Sequence, residues 1–248
     1  MNNIVSPSCN APTFGYCNTC NTVHSLGEGN ARKYCQELMD DLDQHNRIDF
    51  FDEIADPRFS IDYLFGIARG QMFGVLECED EHGAIVVLRA FSCQYNRVWN
   101  VNGWCPPLLD YSRSVPDVDK VLKDLGKEID ALPLDSPERA ELRQKRKKIS
   151  QKQMKCIQSL YTLTNFRGET KSLNDAFHHH KGIPTGAADC CAPKLLNYAA
   201  QHNLKPLGLA EFFWGKENKS GTRKHGEFYP CCESKCQPIL GYILCGLE

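Results

Sequence analysis

Fourteen cysteines in a chain of 248 residues leave two broad ways to fold. In an oxidising compartment, such a density reads as a disulfide framework. In a reducing one, clustered cysteines bind metal or do chemistry. The opening residues, MNNIVSPSCNAPTFGYC, have neither the basic start nor the apolar core of a secretory signal. The longest apolar stretch, Ala84–Phe91, is broken by Arg89 and is far short of the roughly 20 residues of a membrane span. The expectation is therefore a cytoplasmic protein with no membrane contact and reduced thiols.

The cysteines fall into three groups: Cys9, Cys17 and Cys20; Cys190 and Cys191; and Cys231, Cys232 and Cys236. The others, Cys35, Cys78, Cys93, Cys105, Cys156 and Cys245, sit singly and read as small core hydrophobes. Apolar residues make up 42% and charged residues 24%, an ordinary globular balance. The length suits one large domain over 1–248 with an insertion. Its parts are a Cys-rich segment and helix (1–45), a helical-hairpin insertion (117–165) and a Cys-rich metal-binding half (182–248). The net charge of −2 gives no general attraction to nucleic acid or membrane but permits a local patch.

Residues 1–25 read as polar loop. Ala31, Tyr34, Cys35, Leu38 and Leu42 recur at helical spacing and predict a helix over Gly29–Asp43. MFGVLEC (72–78) and AIVVLRAF (84–91) flank a Gly83 turn and predict a hairpin central to a sheet and buried on both faces. Two helices follow, about 117–131 and 137–163, with Ser136 as cap and Pro137 in the first turn. The second carries eight basic residues against Glu138 and Glu141, which suits either RNA phosphates or a solvated face. DCCAPKLLNYAAQH (189–202) predicts a helix starting near Asp189–Cys191, because Pro193 fits only a first turn. PLGLAEFFW (206–214) predicts a strand, and a last helix is expected from at or near Cys231. The fold class is α/β or α+β: a single sheet with a central hairpin, flanking helices and an inserted helical hairpin.

Helix N-termini stabilise thiolates through free N–H groups and the helix dipole. Cys190, Cys232 and Cys236 would thus offer zinc three sulfurs from two helix starts, with a fourth position open, the catalytic arrangement. The alternatives are closed sites. Cys17 and Cys20 form a C-x2-C knuckle that Cys232 and Cys236 would complete, or that Cys9 with His24 or Cys35 would complete locally. A third class makes Cys191 or Cys231 a reactive thiol.

The order helix, strand, helix, with Pro230 before the second cysteine group, resembles the zinc-dependent nucleobase deaminase fold. There, zinc activates water for attack on an amidine-like carbon of a base. Two features depart from that pattern. Cys232 and Cys236 are separated by three residues instead of two, and Ala192 or Pro193 stands where the catalytic Glu belongs. Asp189 and Glu211 are then the candidates for proton transfer. Arg223, His225 and Tyr229, before the last cysteine group, are candidates to hold a stacked base.

GIPTGAADCCAPKLLNYAAQHNLKPLGLAEFFWG, RKHGEFYPCCESKCQPILGYIL and GQMFGVLECEDEHGAIVVLRAFS also resemble a domain at the N-terminus of long RluA-type pseudouridine synthase proteins. That resemblance implies an RNA-modification context. It does not imply pseudouridine formation by this chain, because no H-R-L-D-like stretch is present. The leading expectation is a zinc-dependent hydrolase acting on a nucleobase in RNA or a free nucleotide. Its rival is a non-catalytic zinc module. His178–His180 read as a polar turn, Phe212–Trp214 as strand packing, and Gly182–Gly186 lacks the phosphate-loop pattern.

Overall fold

The computed structural model describes residues 13–110, 119–178 and 182–247. At its centre β3 (Gln71–Glu79) pairs antiparallel with β4 (Ile85–Phe91) on one side and β7 (Lys205–Trp214) on the other. Six consecutive residues of β3 are buried, as its inner position demands. β4 is an edge strand and remains partly exposed along most of its length, so the expected two-sided burial applies to β3 alone.

Alternate residues of these strands feed two cores. On one face Phe73, Val75, Phe91, Phe212 and Trp214 pack with α1 (Ala31–His45), which buries Ala31, Cys35, Leu38, Met39 and Leu42 along one stripe. On the other face Leu76, Cys78 and Leu209 pack with α6 (Cys191–Gln201) and α7 (Gln237–Ile243). A minor helix, α2 (Asp62–Phe65), lies between α1 and β3 in the chain.

The expected single sheet is instead three antiparallel sheets among the described residues. β1 (Thr13–Cys17) and β2 (Thr22–Leu26) form a hairpin where the sequence read as loop. β5 (Thr162–Thr164) and β6 (Thr170–Ser172) form another, followed by α5 (Leu173–Ala176). The inserted helices are α3 (Asp119–Ala131) and α4 (Pro137–Leu160). α4 ends short of the expected residue 163 because Thr162-Leu163-Thr164 enters β5, where branched side chains fit better. The Ser136 hydroxyl accepts from the Arg139 amide, as its cap role requires. α7 begins at Gln237, not Cys231. Pro238 fits only the first helical turn and places the start there. Residues 231–236 form a turn, with the Cys236 and Gln237 amides donating to the Cys232 carbonyl at 3.0 and 3.1 Å. No helix among the described residues is long and apolar enough to cross a membrane.

α7 lies directly on β1 through two glycines. A Cβ at Gly15 would run into the Gly241 amide nitrogen and the Gln237 carbonyl oxygen. Gly15→Ala should therefore lower stability by about 1–3 kcal/mol, the usual range for overpacking. Denaturant titration checks this. An unchanged midpoint would mean the strand and helix are not in contact.

Candidate functional site

The β1–β2 hairpin turns through Asn18–Asn21, with Asn21 at φ 53°, and holds Cys17 and Cys20 at its tip. His24 follows on β2. Cys245 lies just beyond α7, and the close β1–α7 packing carries it to the hairpin. The ligand atoms of Cys17, Cys20, His24 and Cys245 all lie within 4.8 Å of one another. The Cys20 sulfur is 2.9 Å from His24 Nε2 and 3.5 Å from the Cys245 sulfur. Burial works to raise Cys17, but hydrogen bonds from the Cys20 amide and thiol, the Thr19 amide and the Cys245 thiol outweigh it and hold Cys17 low. Cys245 is pushed up to about 12 by burial and by its hydrogen bonds to Cys20 and Cys17. One favoured thiolate among thiols and an imidazole is a donor set that can hold a metal ion, and four N/S ligands make a closed site.

This set corrects two expectations. Cys17 and Cys20 are grouped with His24, as the local alternative has it, and with Cys245, not with Cys232 and Cys236. Cys245 joins a ligand cluster instead of serving only as core. Among the other candidates, Cys35 is turned to the far face, where its thiol donates to the Ala210 carbonyl at 3.4 Å and burial pushes it well up. Cys9 lies outside the described residues. C-x2-C-x3-H is visible in the sequence, whereas nothing local announces a ligand 225 residues from Cys20.

In the other cysteine group, Cys190 stands at the N-cap position of α6 and Cys236 at that of α7, with Cys232 one turn earlier. Cys190 and Cys232 both bear on the Cys236 thiol and, with burial, raise it well above an ordinary thiol. Cys232 is pushed down to about 4 by its hydrogen bond from Cys236, against burial and with help from Ser234 and the Lys235 amide. The sulfurs of Cys190, Cys232 and Cys236, expected to converge, do not all lie within 4.8 Å of one another; among the described residues the hairpin set does.

Glu211 lies on β7, on the face turned to α6, and is 5% exposed. Its Oε1 accepts the Ala192 amide at 3.0 Å, in the first turn of α6. The close approach depends on Gly74, its register partner on β3. A Cβ there would stand 2.8 Å from Cys191 Cβ and 3.3 Å from Glu211 Cγ. Burial raises Glu211 to about 7, opposed by the Ala192 amide and reinforced by the Cys232 charge. Unfolded, this carboxyl ionises near its ordinary value, 4.5. Its neutral form therefore favours the folded state. In metal-free protein its contribution is full below pH 4.5 and is lost as pH rises through 7, on the order of 3 kcal/mol in all. Glu211→Gln, with no charge to bury, should show a flatter pH dependence of melting temperature. Superimposable curves would contradict the burial.

Asp189 is buried and serves as an anchor. Its Oδ1 accepts from the Tyr161 hydroxyl at 2.7 Å, and its carbonyl accepts the Cys93 amide at 2.7 Å. Lys194, which the sequence reading passed over, is 1% exposed and donates to the Phe91 and Cys93 carbonyls at 2.9 and 2.7 Å. It pins the end of β4 to α6. Arg223 stacks on Tyr229 at 4.2 Å and contributes charge felt by Glu211, while the Tyr229 amide donates to the Glu211 carbonyl at 3.0 Å. His225 is placed elsewhere: it packs on Trp214 at 4.1 Å and Phe65 at 5.4 Å, and accepts the Gly215 amide. Cys191 donates to the Met72 carbonyl at 3.3 Å and is raised well up by burial, and burial pushes Cys231 up to about 12. Both thiols are thus held neutral, which does not suit a nucleophile. No protein family, curated protein or solved structure matches this chain.

Proposed function

We propose that the protein is a zinc-dependent hydrolase of the nucleobase-deaminase type. In this reading Cys190, Cys232 and Cys236 hold the catalytic ion, and Cys17, Cys20, His24 and Cys245 hold a structural one. The observation that carries it is the hydrogen bond from the Ala192 amide to Glu211. Ala192 occupies the place where the deaminase pattern puts its acid, and β7 delivers a carboxylate to that same place from the neighbouring strand. The helix–strand–helix order, and the influence of Cys190 and Cys232 on the Cys236 thiol, support the same reading.

A zinc ion on the three sulfurs would supply Lewis acidity and an activated water. The chain's own residues do the rest. Glu211, poised near neutrality by burial, can take a proton and return it to a leaving amine. Its Oε1 is held by the Ala192 amide, so the carboxyl is oriented before substrate arrives. Tyr161 and Cys93 fix Asp189, and so fix the loop that presents Cys190. Arg223 stacks on Tyr229, whose amide bonds to the Glu211 carbonyl, and in this reading the pair would meet the base.

Ammonia release tests the reading. Zinc-loaded protein should liberate ammonia from a cytosine- or adenine-containing nucleotide or RNA, and a chelator should stop it. No release from any member of that panel by protein with full zinc occupancy would contradict it.

A further inference from the structure

The insertion carries a feature that the metal sites leave unexplained. α4 holds eight basic residues and, after Glu141, no acidic one, in a chain of net charge −2. Arg139 is buried and donates to the Leu132 carbonyl at 2.6 Å. The other seven are exposed. Lys145, Lys148, Lys152 and Lys155 recur at spacings of three and four, which places them on one helix face over about 15 Å.

Beside that face runs a groove of about 560 Å³ between α4 and residue 183. Lys148, Lys152 and Lys155 line it together with Met154, Gln158 and Ile183. Its size is that of a small-molecule site. The lining combines cationic donors with apolar atoms. An anionic group joined to a flat apolar body matches that pattern, and a nucleotide unit is such a group.

The same groove is tied to the candidate site. Gln158 Nε2 donates to the Ile183 carbonyl at 3.1 Å, and Tyr161, just past α4, holds Asp189. The loop gripped by these two bonds ends at Cys190.

We propose that the lysine face of α4 binds the phosphodiester backbone of single-stranded RNA, with one nucleotide lodged in the groove against Met154 and Ile183. From Gln144 to Leu160 the exposed residues besides the basic ones are the polar Gln144, Ser150, Gln151 and Ser159 and only two apolar ones, Cys156 and Leu160, so the helix lacks the broad apolar wedge that a bilayer surface requires. Arg143, Arg146 and Lys147 extend the charge around the helix, which favours a polymer of regular charge over a discrete set of acidic side chains. In selecting RNA over a free nucleotide as substrate, the inference rests on the hydrolase reading above. The binding itself rests on α4.

The test is binding of a fluorescent 20-nucleotide single-stranded RNA to the full chain over a salt series. Lys148→Glu/Lys152→Glu/Lys155→Glu should weaken binding at least tenfold. It should also flatten the slope of log affinity against log salt by about 2, the value for three lost phosphate contacts. Lys33→Glu/Lys205→Glu/Lys219→Glu changes the net charge equally on other surfaces and should stay within twofold of the parent. Circular dichroism verifies that both variants fold. The inference is overturned if the parent does not bind RNA, if the two variants weaken binding equally, or if polyglutamate displaces the RNA at equal charge concentration. RNA binding that depends on α4, without ammonia release from any substrate, would sustain this inference and sink the hydrolase reading alone.

Discussion

Serine in place of Cys245 should strip the hairpin site of its ion and lower the unfolding free energy by roughly 3 kcal/mol or more. Structural zinc sites contribute on the order of 10 kcal/mol to folding, because the ligands come together only in the folded chain. Here the four ligands join the hairpin to Cys245, two residues past the end of α7. A clip across so long a loop removes much of the freedom of the unfolded chain. The Cys245 sulfur is also within 3.5 Å of the Cys20 sulfur, so its loss removes both a ligand and a hydrogen-bond partner. Thermal melts with zinc analysis check this. Cys156→Ser, at an exposed position on α4, is the control and should leave melting and zinc unchanged. A Cys245→Ser protein with parental zinc content and melting temperature would remove the hairpin site from the account.

Glu211→Gln should lower the rate of base conversion by about 10²- to 10⁴-fold, the range of general acid–base catalysis. The amide keeps the shape of the side chain and an oxygen to accept the Ala192 amide, so α6 should stay in place. What it loses is the exchangeable proton. Zinc content and substrate KM should therefore change little while kcat collapses. Asp189→Asn, by contrast, alters a group already bonded to Tyr161 and acts through the position of its loop. A kcat within twofold of the parent in Glu211→Gln would place proton transfer elsewhere.

The parts of the fold governed by local pattern were legible in the sequence. α1, α3, the Ser136-capped α4, the β3–β4 hairpin, α6 and β7 all follow from periodicity and punctuation. The small hairpins were not, because Thr13–Leu26 owes its strands to packing under α7, and five-residue strands carry little signal of their own. The start of α7 was misplaced because Pro230 and Pro238 both punctuate the segment, and only the second lies within the helix. The site followed the same division. Cys17 and Cys20 are visible as a pair, and Cys190 and Cys236 do stand at helix starts, whereas Cys232 lies in the turn before α7. Cys245 was hidden because its partners are remote in sequence and its neighbours are apolar. Lys194 was hidden because a lysine one turn into a helix ordinarily faces water, and its burial depends on carbonyls of another element.

Everything catalytic in this account depends on an ion shared by the sulfurs of Cys190, Cys232 and Cys236. The direct measurement is zinc per chain, by elemental analysis under reducing conditions, in the parent and in Cys232→Ser. Two ions in the parent and one in the variant are the predicted result. An identical count in both proteins would contradict it.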